Sequence, residues 1–189
     1  MISTAERAYR GTSACLLLAM LVGCSEPDVP LTIPFAAYYG SEPIDCDRPA
    51  GPIQLTDLRL YVSAAYLLSD SGEPMQLNLL PDGQWQQGDL ALIDLENGND
   101  RCENGTRITR TELQASVRPG DYRGLAFEVG VPFDRNHGDP LQAEPPLGDS
   151  AMHWSWRGGY KFLRAGIRTE TDGFWVHLGS TGCEGTIQD

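Results

Sequence analysis

The chain has 189 residues, of which 41% are hydrophobic and 21% charged, so it can bury the core of one domain. Its 26 acidic and 14 basic residues give a formal net charge of −12. Such an anionic surface repels nucleic acid and anionic lipid, so neither is expected as a partner, and a cation or a basic protein is favoured.

The first 23 residues have the composition of a cleaved export signal. A polar start with two arginines and one glutamate precedes an apolar run at 14–22. This run is far shorter than the ~20 residues that span a bilayer, and it suits a signal segment. It ends in Leu21-Val22-Gly23-Cys24, which resembles the bacterial lipobox. Cys24 is therefore the predicted lipidation site, and an ordinary secretory signal is the alternative.

The expected location is the bacterial cell envelope. Ser25, and not aspartate, follows Cys24, which by resemblance to known sorting rules favours the outer membrane, facing the periplasm or the surface. Acyl chains on Cys24 would contribute ~0.8 kcal/mol per buried CH₂. No later apolar run approaches spanning length, so only the lipid anchor is expected to touch the membrane. Removal of the signal changes the charge from −12 to −13, because two arginines and one glutamate leave with it.

Along the mature chain, the pattern predicts an acidic, proline-containing tether at 24–33 and a β-rich domain at 34–189. The segment 132–150 contains four prolines and reads as a long loop, which is often functional in a compact domain. Alternating apolar residues indicate half-buried strands. These strands are predicted at 33–39, 55–68, 75–80, 88–95, 121–131, 154–167 and 173–178. The predicted fold class is all-β, an antiparallel β-sandwich or barrel-like domain with long loops.

Three histidines, His137, His153 and His177, lie in the last third of the chain. Neutral imidazole binds copper, zinc, iron and nickel, and the thioether of Met152 suits Cu(I). Copper is therefore a candidate cofactor, although a single histidine is more often a structural or surface residue. In a strand at 173–178, Trp175 would share a face with His177.

Other chemistry is poorly supported. The acidic segment at 94–100 lacks the spacing and closing glutamate of an EF-hand loop. No nucleophile with a paired base is visible, so the chain is not expected to be an enzyme.

Five blocks in order resemble MbnP-like proteins, also called metallo-mystery pair four-Cys proteins. The blocks are DLRLYVS at 57–63, GVPF at 130–133 followed by Asn136-His137, MHWSW at 152–156, GYKFLR at 159–164, and HLGSTGC at 177–183. The resemblance implies a periplasmic or surface copper-binding protein. It also implies a partner, a MauG-like dihaem cytochrome c peroxidase, which oxidises a tryptophan to kynurenine at or near a histidine-ligated Cu(I) site.

The same resemblance implies roles for individual residues. His137 and His177 fall in matched blocks and are the preferred metal ligands, with His153 as a third. Trp156 and then Trp154 are the leading candidates for oxidation, and Trp175 is a third because it neighbours His177. Core packing is the alternative role for these tryptophans.

The cysteines depart from the family pattern. The family has four in this domain, whereas the mature chain has Cys46, Cys102 and Cys183 after Cys24. The chain ends six residues after Cys183, so we expect that a carboxy-terminal piece is missing. Cys46 and Cys102 are the expected disulfide, with Cys183 unpaired, and the other pairings stay open.

Two further hypotheses accompany copper binding. In the first, the protein acts chiefly as a substrate and partner of the haem peroxidase. In the second, it is a β-sandwich adhesion or carbohydrate-binding lipoprotein without metal, with Trp85, Trp154 or Trp175 exposed on a concave face.

Overall fold

A computed structural model describes residues 26–99, 101–102, 105–154 and 158–180. One helical turn, α1, spans Phe133–Asn136, and a 3-10 turn spans Ser150–Met152. The strands are β1 (Val29–Pro34), β2 (Ala37–Tyr39), β3 (Glu42–Ile44), β4 (Gln54–Ser69), β5 (Pro74–Gln76), β6 (Asn78–Leu79), β7 (Gln86–Gln87), β8 (Leu90–Asp94), β9 (Glu112–Val117), β10 (Tyr122–Val129), β11 (Lys161–Arg168) and β12 (Gly173–Gly179).

The long strand β4 organises the larger sheet, whose order is β12-β11-β4-β8-β7. Its first half pairs with β11 and its second half with β10, and β5 pairs with β4 near the far end. A smaller sheet has the order β1-β9-β6, and β2 and β3 form a separate hairpin. All of these pairings are antiparallel, so the predicted all-β, antiparallel sandwich is confirmed.

The two sheets pack face to face over one hydrophobic core. Val62 from β4 and Ile93 from β8 meet Leu113 and Ala115 from β9, and all four are buried. Alternation along β4 explains this arrangement, because Leu58, Leu60 and Val62 point to one side of the sheet.

A second core covers the opposite side of the large sheet. We call this side the loop face; it carries Asp57, Arg59 and Tyr61 of β4. Residues 131–154 and 158–160 lie over it, and the buried side chains of this core are Tyr61, Leu90, Leu92, Val131, Leu147, Met152 and Tyr160. Because β4 is covered on both sides, it is among the most buried elements of the described chain.

β4 contains a bulge at Ala64, where φ is +47°. In the pairing with β10, Ala126 lies opposite Tyr66, whereas Glu128 lies opposite Ser63, so β4 has one extra residue there. A residue in this conformation is typical of a β-bulge, which bends the strand and increases its twist. The bend lets β4 contribute to the sheet on both sides of the bulge.

The structure corrects the predicted tether at 24–33. The strand β1 begins at Val29, and its residues Leu31 and Ile33 pair with Ala115 and Leu113 and pack against the core. The two prolines of β1 are compatible with a strand because β1 is an edge strand, where a missing N–H leaves no ladder bond broken. Its partner β9 was not predicted, since its apolar positions include small alanine and alternate with charged and polar residues.

The predicted strand at 154–167 was too long. β11 begins at Lys161, and the Trp154 amide donates to the Gly159 carbonyl before that strand starts. Residues 155–157 lie outside the described part, so the expected face of Trp156 is not tested. In contrast, β12 confirms that Trp175 and His177 share a face.

The expected disulfide is confirmed between Cys46 and Cys102, whose Cα atoms are 5.6 Å apart. Both residues are buried, and the bond joins the segment after β3 to the loop after β8. Cys24 and Cys183 lie outside the described residues. Within the described residues, no helix has both the length and the apolar composition that crossing a bilayer requires.

Candidate functional site

A row of charged and polar side chains crosses the loop face of the large sheet. In register, Asp94 of β8 lies opposite Arg59 of β4, Arg59 opposite Arg164 of β11, and Arg164 opposite His177 of β12. Residues directly opposite each other in neighbouring strands project from the same face. The row therefore runs from a buried carboxyl group at Asp94 to an exposed imidazole at His177.

Asp57 is the anchor of this row. Its Oδ2 accepts from Arg59 Nη2 at 2.6 Å and lies 2.8 Å from Arg164 Nε, while Arg59 Nη1 reaches Asp149 Oδ2 at 3.2 Å. Burial opposes the charged form of Arg59, but the hydrogen bond and charge of Asp57 outweigh it and raise the pKa of this guanidinium. The network thus joins two strands and the overlying loop through one fully buried carboxylate.

Two cations of β11 fix the end of the long loop. Lys161 Nζ donates to the carbonyls of Ala151 at 2.9 Å and His153 at 3.0 Å, and Arg164 Nη1 donates to Ala151 at 3.1 Å. These bonds hold the backbone of His153 against the sheet. The buried ammonium is satisfied by carbonyl oxygens, as a buried charge requires.

His177 and Trp175 form an adjacent pair on β12, with ring centroids 6.1 Å apart. Trp175 is 45% exposed, and the Arg164 guanidinium lies 5.4 Å from its ring centroid. The indole packs over Gly166, where a Cβ would collide with the ring. A glycine in β11 therefore makes the space in which Trp175 lies against the sheet.

The electrostatic surroundings favour the neutral form of two imidazoles. Partial burial lowers the pKa of His177, the cations Arg164 and Lys161 lower it further, and Asp57 acts in the opposite direction. Burial and then Lys161 lower the pKa of His153. Neutral imidazole retains the lone pair that binds a metal ion.

His153 and Trp154 lie where the loop returns to β11. The His153 ring packs edge-on against Tyr160, with centroids 4.9 Å apart. The Trp154 ring lies on Gly179, where a Cβ would collide with it, and Lys161 Nζ is 5.8 Å from the ring centroid. Trp154 therefore packs between the loop and the end of β12.

His137 follows α1 and is held through its neighbour Asn136, which is buried. The Asn136 side chain accepts from the Tyr160 amide at 2.8 Å, donates to Ser180 Oγ at 2.8 Å, and lies 3.3 Å from His137 Nε2. Phe133 stacks edge-on against the His137 ring at 5.4 Å. Asn136 thus ties the long loop to the start of β11 and the end of β12, the strand that carries His177.

We call the surface formed by His137, His153, His177, Trp154 and Trp175 the histidine surface. Shared partners connect its members, since Asn136 contacts both the Tyr160 backbone and His137, and Tyr160 contacts His153. The three imidazoles do not form a group with ring nitrogens within 4.8 Å of one another in the described part. A preformed three-histidine cage is therefore not present there, and the choice of metal ligands stays a prediction.

A group of three potential ligand atoms within 4.8 Å does occur in the described chain, at Cys46, Glu96 and Cys102. The two cysteines are joined in the disulfide. Because the thiolate is the form of cysteine that binds metals, the disulfide removes this group from consideration. Glu96 is instead a buried carboxyl group whose pKa is raised by burial.

Comparison with known proteins gives the family. The family model of MbnP matches residues 28–188. The chain belongs to the MbnP family. Among solved structures, it is similar to MbnP from Methylosinus trichosporium, with a TM-score of 0.67 and 28% sequence identity. The match covers 85% of this chain and 65% of that chain, so the chain spans about two thirds of the length of the relative. A comparison with curated proteins gives no match.

Sequence reasoning missed several residues that support the histidine surface. Asn136, Tyr160, Lys161 and Arg164 position the histidines and tryptophans, yet only their place in the resembling blocks singled them out. Their partners are distant in sequence: Asn136 bonds to residues 24 and 44 positions away. Such contacts depend on the tertiary fold and leave no local pattern.

Substitution of Asp57 by asparagine tests the anchor. The variant removes the carboxylate shared by the buried guanidinium of Arg59 and the partly buried one of Arg164, and breaking a buried ion pair costs ~3–5 kcal/mol. Urea denaturation should show this loss of unfolding free energy. The matched control is Asp45→Asn, because Asp45 forms an exposed pair with Arg48, and exposed pairs contribute ~0–1 kcal/mol. Equal effects of the two variants would contradict the assigned role.

Asp94 should make stability depend on pH. Burial raises its pKa to about 7; Arg59 opposes this shift, while Glu96 and Asp149 add to it. Between about pH 4 and pH 7, the folded protein therefore holds this proton where the unfolded chain has lost it. The resulting contribution to the free energy of unfolding is complete below about pH 4 and is lost as the pH rises through about 7. Relative to wild type, Asp94→Asn should become more stable between pH 5 and pH 8, by roughly a few kcal/mol. Parallel pH profiles of the two proteins in urea denaturation would refute the shift.

Proposed function

We propose that this protein is a copper-binding lipoprotein of the bacterial cell envelope that holds Cu(I) at the histidine surface. The observation that carries the proposal is the pairing of a neutral, exposed imidazole with an indole at His177 and Trp175, in a chain of the MbnP family. Imidazole is a good copper ligand, and His137 and His153 are the further ligand candidates.

The charges around the histidine surface favour a monovalent ion. Lys161 and Arg164 lie beside the imidazoles and repel any bound cation. Coulomb repulsion is proportional to the charge of the ion, so it opposes Cu(II) or Zn²⁺ about twice as strongly as Cu(I). Asp57 partly offsets the two cations. The arrangement supports binding of Cu(I) without turnover, so the protein would act as a carrier, scavenger or sensor and not as an enzyme.

We also propose that a MauG-like dihaem cytochrome c peroxidase is the partner and oxidises a tryptophan of the histidine surface to kynurenine. Among the candidate tryptophans in the described residues, Trp175 is the more accessible to a partner protein. It is 45% exposed and adjoins His177, whereas Trp154 is half-buried. Trp156 remains a candidate outside the described residues. The anionic chain would favour a basic docking surface on that partner. Lipidation at Cys24 would hold this chain at the membrane.

Copper binding is tested by anaerobic titration with Cu(I) against a chromophoric competitor. The protein should begin at Ser25 and carry Cys183→Ser, because a free thiol would itself bind Cu(I). We expect one copper per chain, with an affinity at least tenfold lower in His177→Ala, a loss of ~1.4 kcal/mol in binding free energy. His137→Ala and His153→Ala complete the series.

The control for this series is Phe174→Ala. Phe174 is exposed on β12 and points away from the face of Trp175 and His177. It should leave copper affinity unchanged. Wild-type affinity in all three histidine variants, or the absence of tight binding in the parent protein, would refute the proposed site.

The proposed oxidation is tested by coexpression with the dihaem peroxidase and peptide mass spectrometry. Conversion of tryptophan to kynurenine exchanges one carbon for one oxygen, so the modified peptide is identified by its mass. The proposal expects the modification in the peptide that contains Trp175 or in the one that contains Trp154 and Trp156, and its loss in the matching Trp→Phe variant. A peroxidase that lacks its haems is the control. Unmodified tryptophans in all peptides, with active peroxidase present, would exclude the partner role.

A further inference from the structure

A second concave region lies away from the histidine surface, where the long loop meets β8. This cleft has a volume of about 380 Å³, within the range of small-molecule sites. Trp85 forms one wall, Pro145 and Pro146 contribute to the other, and Asp94 and Asp149 line it between them. The residues that line this cleft are far apart in the sequence, so only the fold brings them together.

Trp85 is held firmly in this wall. Its amide donates to Asp82 Oδ1 at 2.6 Å, and its carbonyl accepts from the Leu92 amide at 2.8 Å. The side chain is half-buried and packs against the second core. An indole fixed in this way offers a flat apolar face at low entropic cost to a ligand.

Asp94 is the polar feature of the cleft. It is 2% exposed, and its Oδ1 accepts from the Glu96 amide at 2.9 Å. The residue lines the cleft, so its carboxyl group is the one that a ligand between Trp85 and the prolines would meet. Ser150 adds a hydroxyl group at the rim.

The charge of the cleft selects the class of ligand. Asp149 is paired with Arg59 at 3.2 Å, so neither contributes a free charge. Burial keeps the carboxyl group of Asp94 protonated below about pH 7, so it offers a donor as well as an acceptor. A cation finds no free carboxylate there, and an anion meets carboxyl groups. A neutral molecule with hydroxyl groups and one apolar face fits both features.

We propose that the cleft between Trp85 and Asp94 is a carbohydrate-binding site, in which a neutral pyranose stacks on Trp85 and exchanges hydrogen bonds with Asp94. This site does not depend on copper or on the histidine surface. It gives the protein a second ligand from a different chemical class.

The test uses saturation-transfer NMR on the copper-free protein at pH 6. The probes are the methyl glycosides of glucose, galactose, mannose and N-acetylglucosamine, with glucosamine and arginine methyl ester as cationic probes. At least one neutral glycoside should receive saturation at its ring C–H protons. Trp85→Leu should lower its affinity at least tenfold, whereas Trp175→Leu, which removes an exposed indole of the histidine surface, should leave it unchanged.

Substitutions at Asp94 provide a second, independent readout. Asp94→Asn keeps one donor and one acceptor and should retain binding, whereas Asp94→Leu keeps the volume without either and should lose it. Thermal unfolding of each variant verifies that it is folded. Three results overturn the proposal: no neutral glycoside binds, only the cationic probes bind, or binding survives in both Trp85→Leu and Asp94→Leu.

Discussion

The buried carboxylate of Asp57 is the interaction on which the rest of this structure depends. It accepts hydrogen bonds from the guanidinium of Arg59 on its own strand, forms an ion pair with Arg164 on β11, and through Arg59 reaches Asp149 in the long loop. Taking three charges out of water is costly, and the cost is met only when the geometry satisfies each of them. The network therefore specifies one register of β11 on β4 and one position of the loop over the sheet.

The two candidate sites, the histidine surface and the cleft at Trp85, lie at opposite ends of this network. On the side of β12, Arg164 lies beside Trp175 and His177. On the side of β8, Arg59 lies between Asp94 and Asp149, which line the Trp85 cleft. Residues 131–154 and 158–160 cover the sheet between the two sites and contribute to both. Both candidate sites thus lie on the loop face of the large sheet, while its other face packs against β9.

The sequence allowed prediction of the fold class, the family and the disulfide, because each has a local or compositional signature. Alternation of Leu58, Leu60 and Val62 gave the central strand correctly. Trp175 and His177 were placed on one face by the two-residue period of a strand. By contrast, β1 was assigned to a tether because proline signals a break, and an edge strand is the exception that tertiary structure permits. The supporting role of Asn136 and the cleft at Trp85 could not be predicted, since both depend on segments that are distant in the chain.

The bulge at Ala64 changes whether the even-numbered or the odd-numbered residues of β4 face the core. Before it, the even-numbered residue Val62 faces the core between the sheets; after it, the odd-numbered residues Ala65 and Leu67 do so. If β4 ran through this point as a regular ladder with Ala64 retained, the whole far half of the strand would turn over. Tyr66 and Leu68 would then enter the core in place of Ala65 and Leu67. The bulge thus determines which side chains face the core in the half of β4 that pairs with β5 and β10.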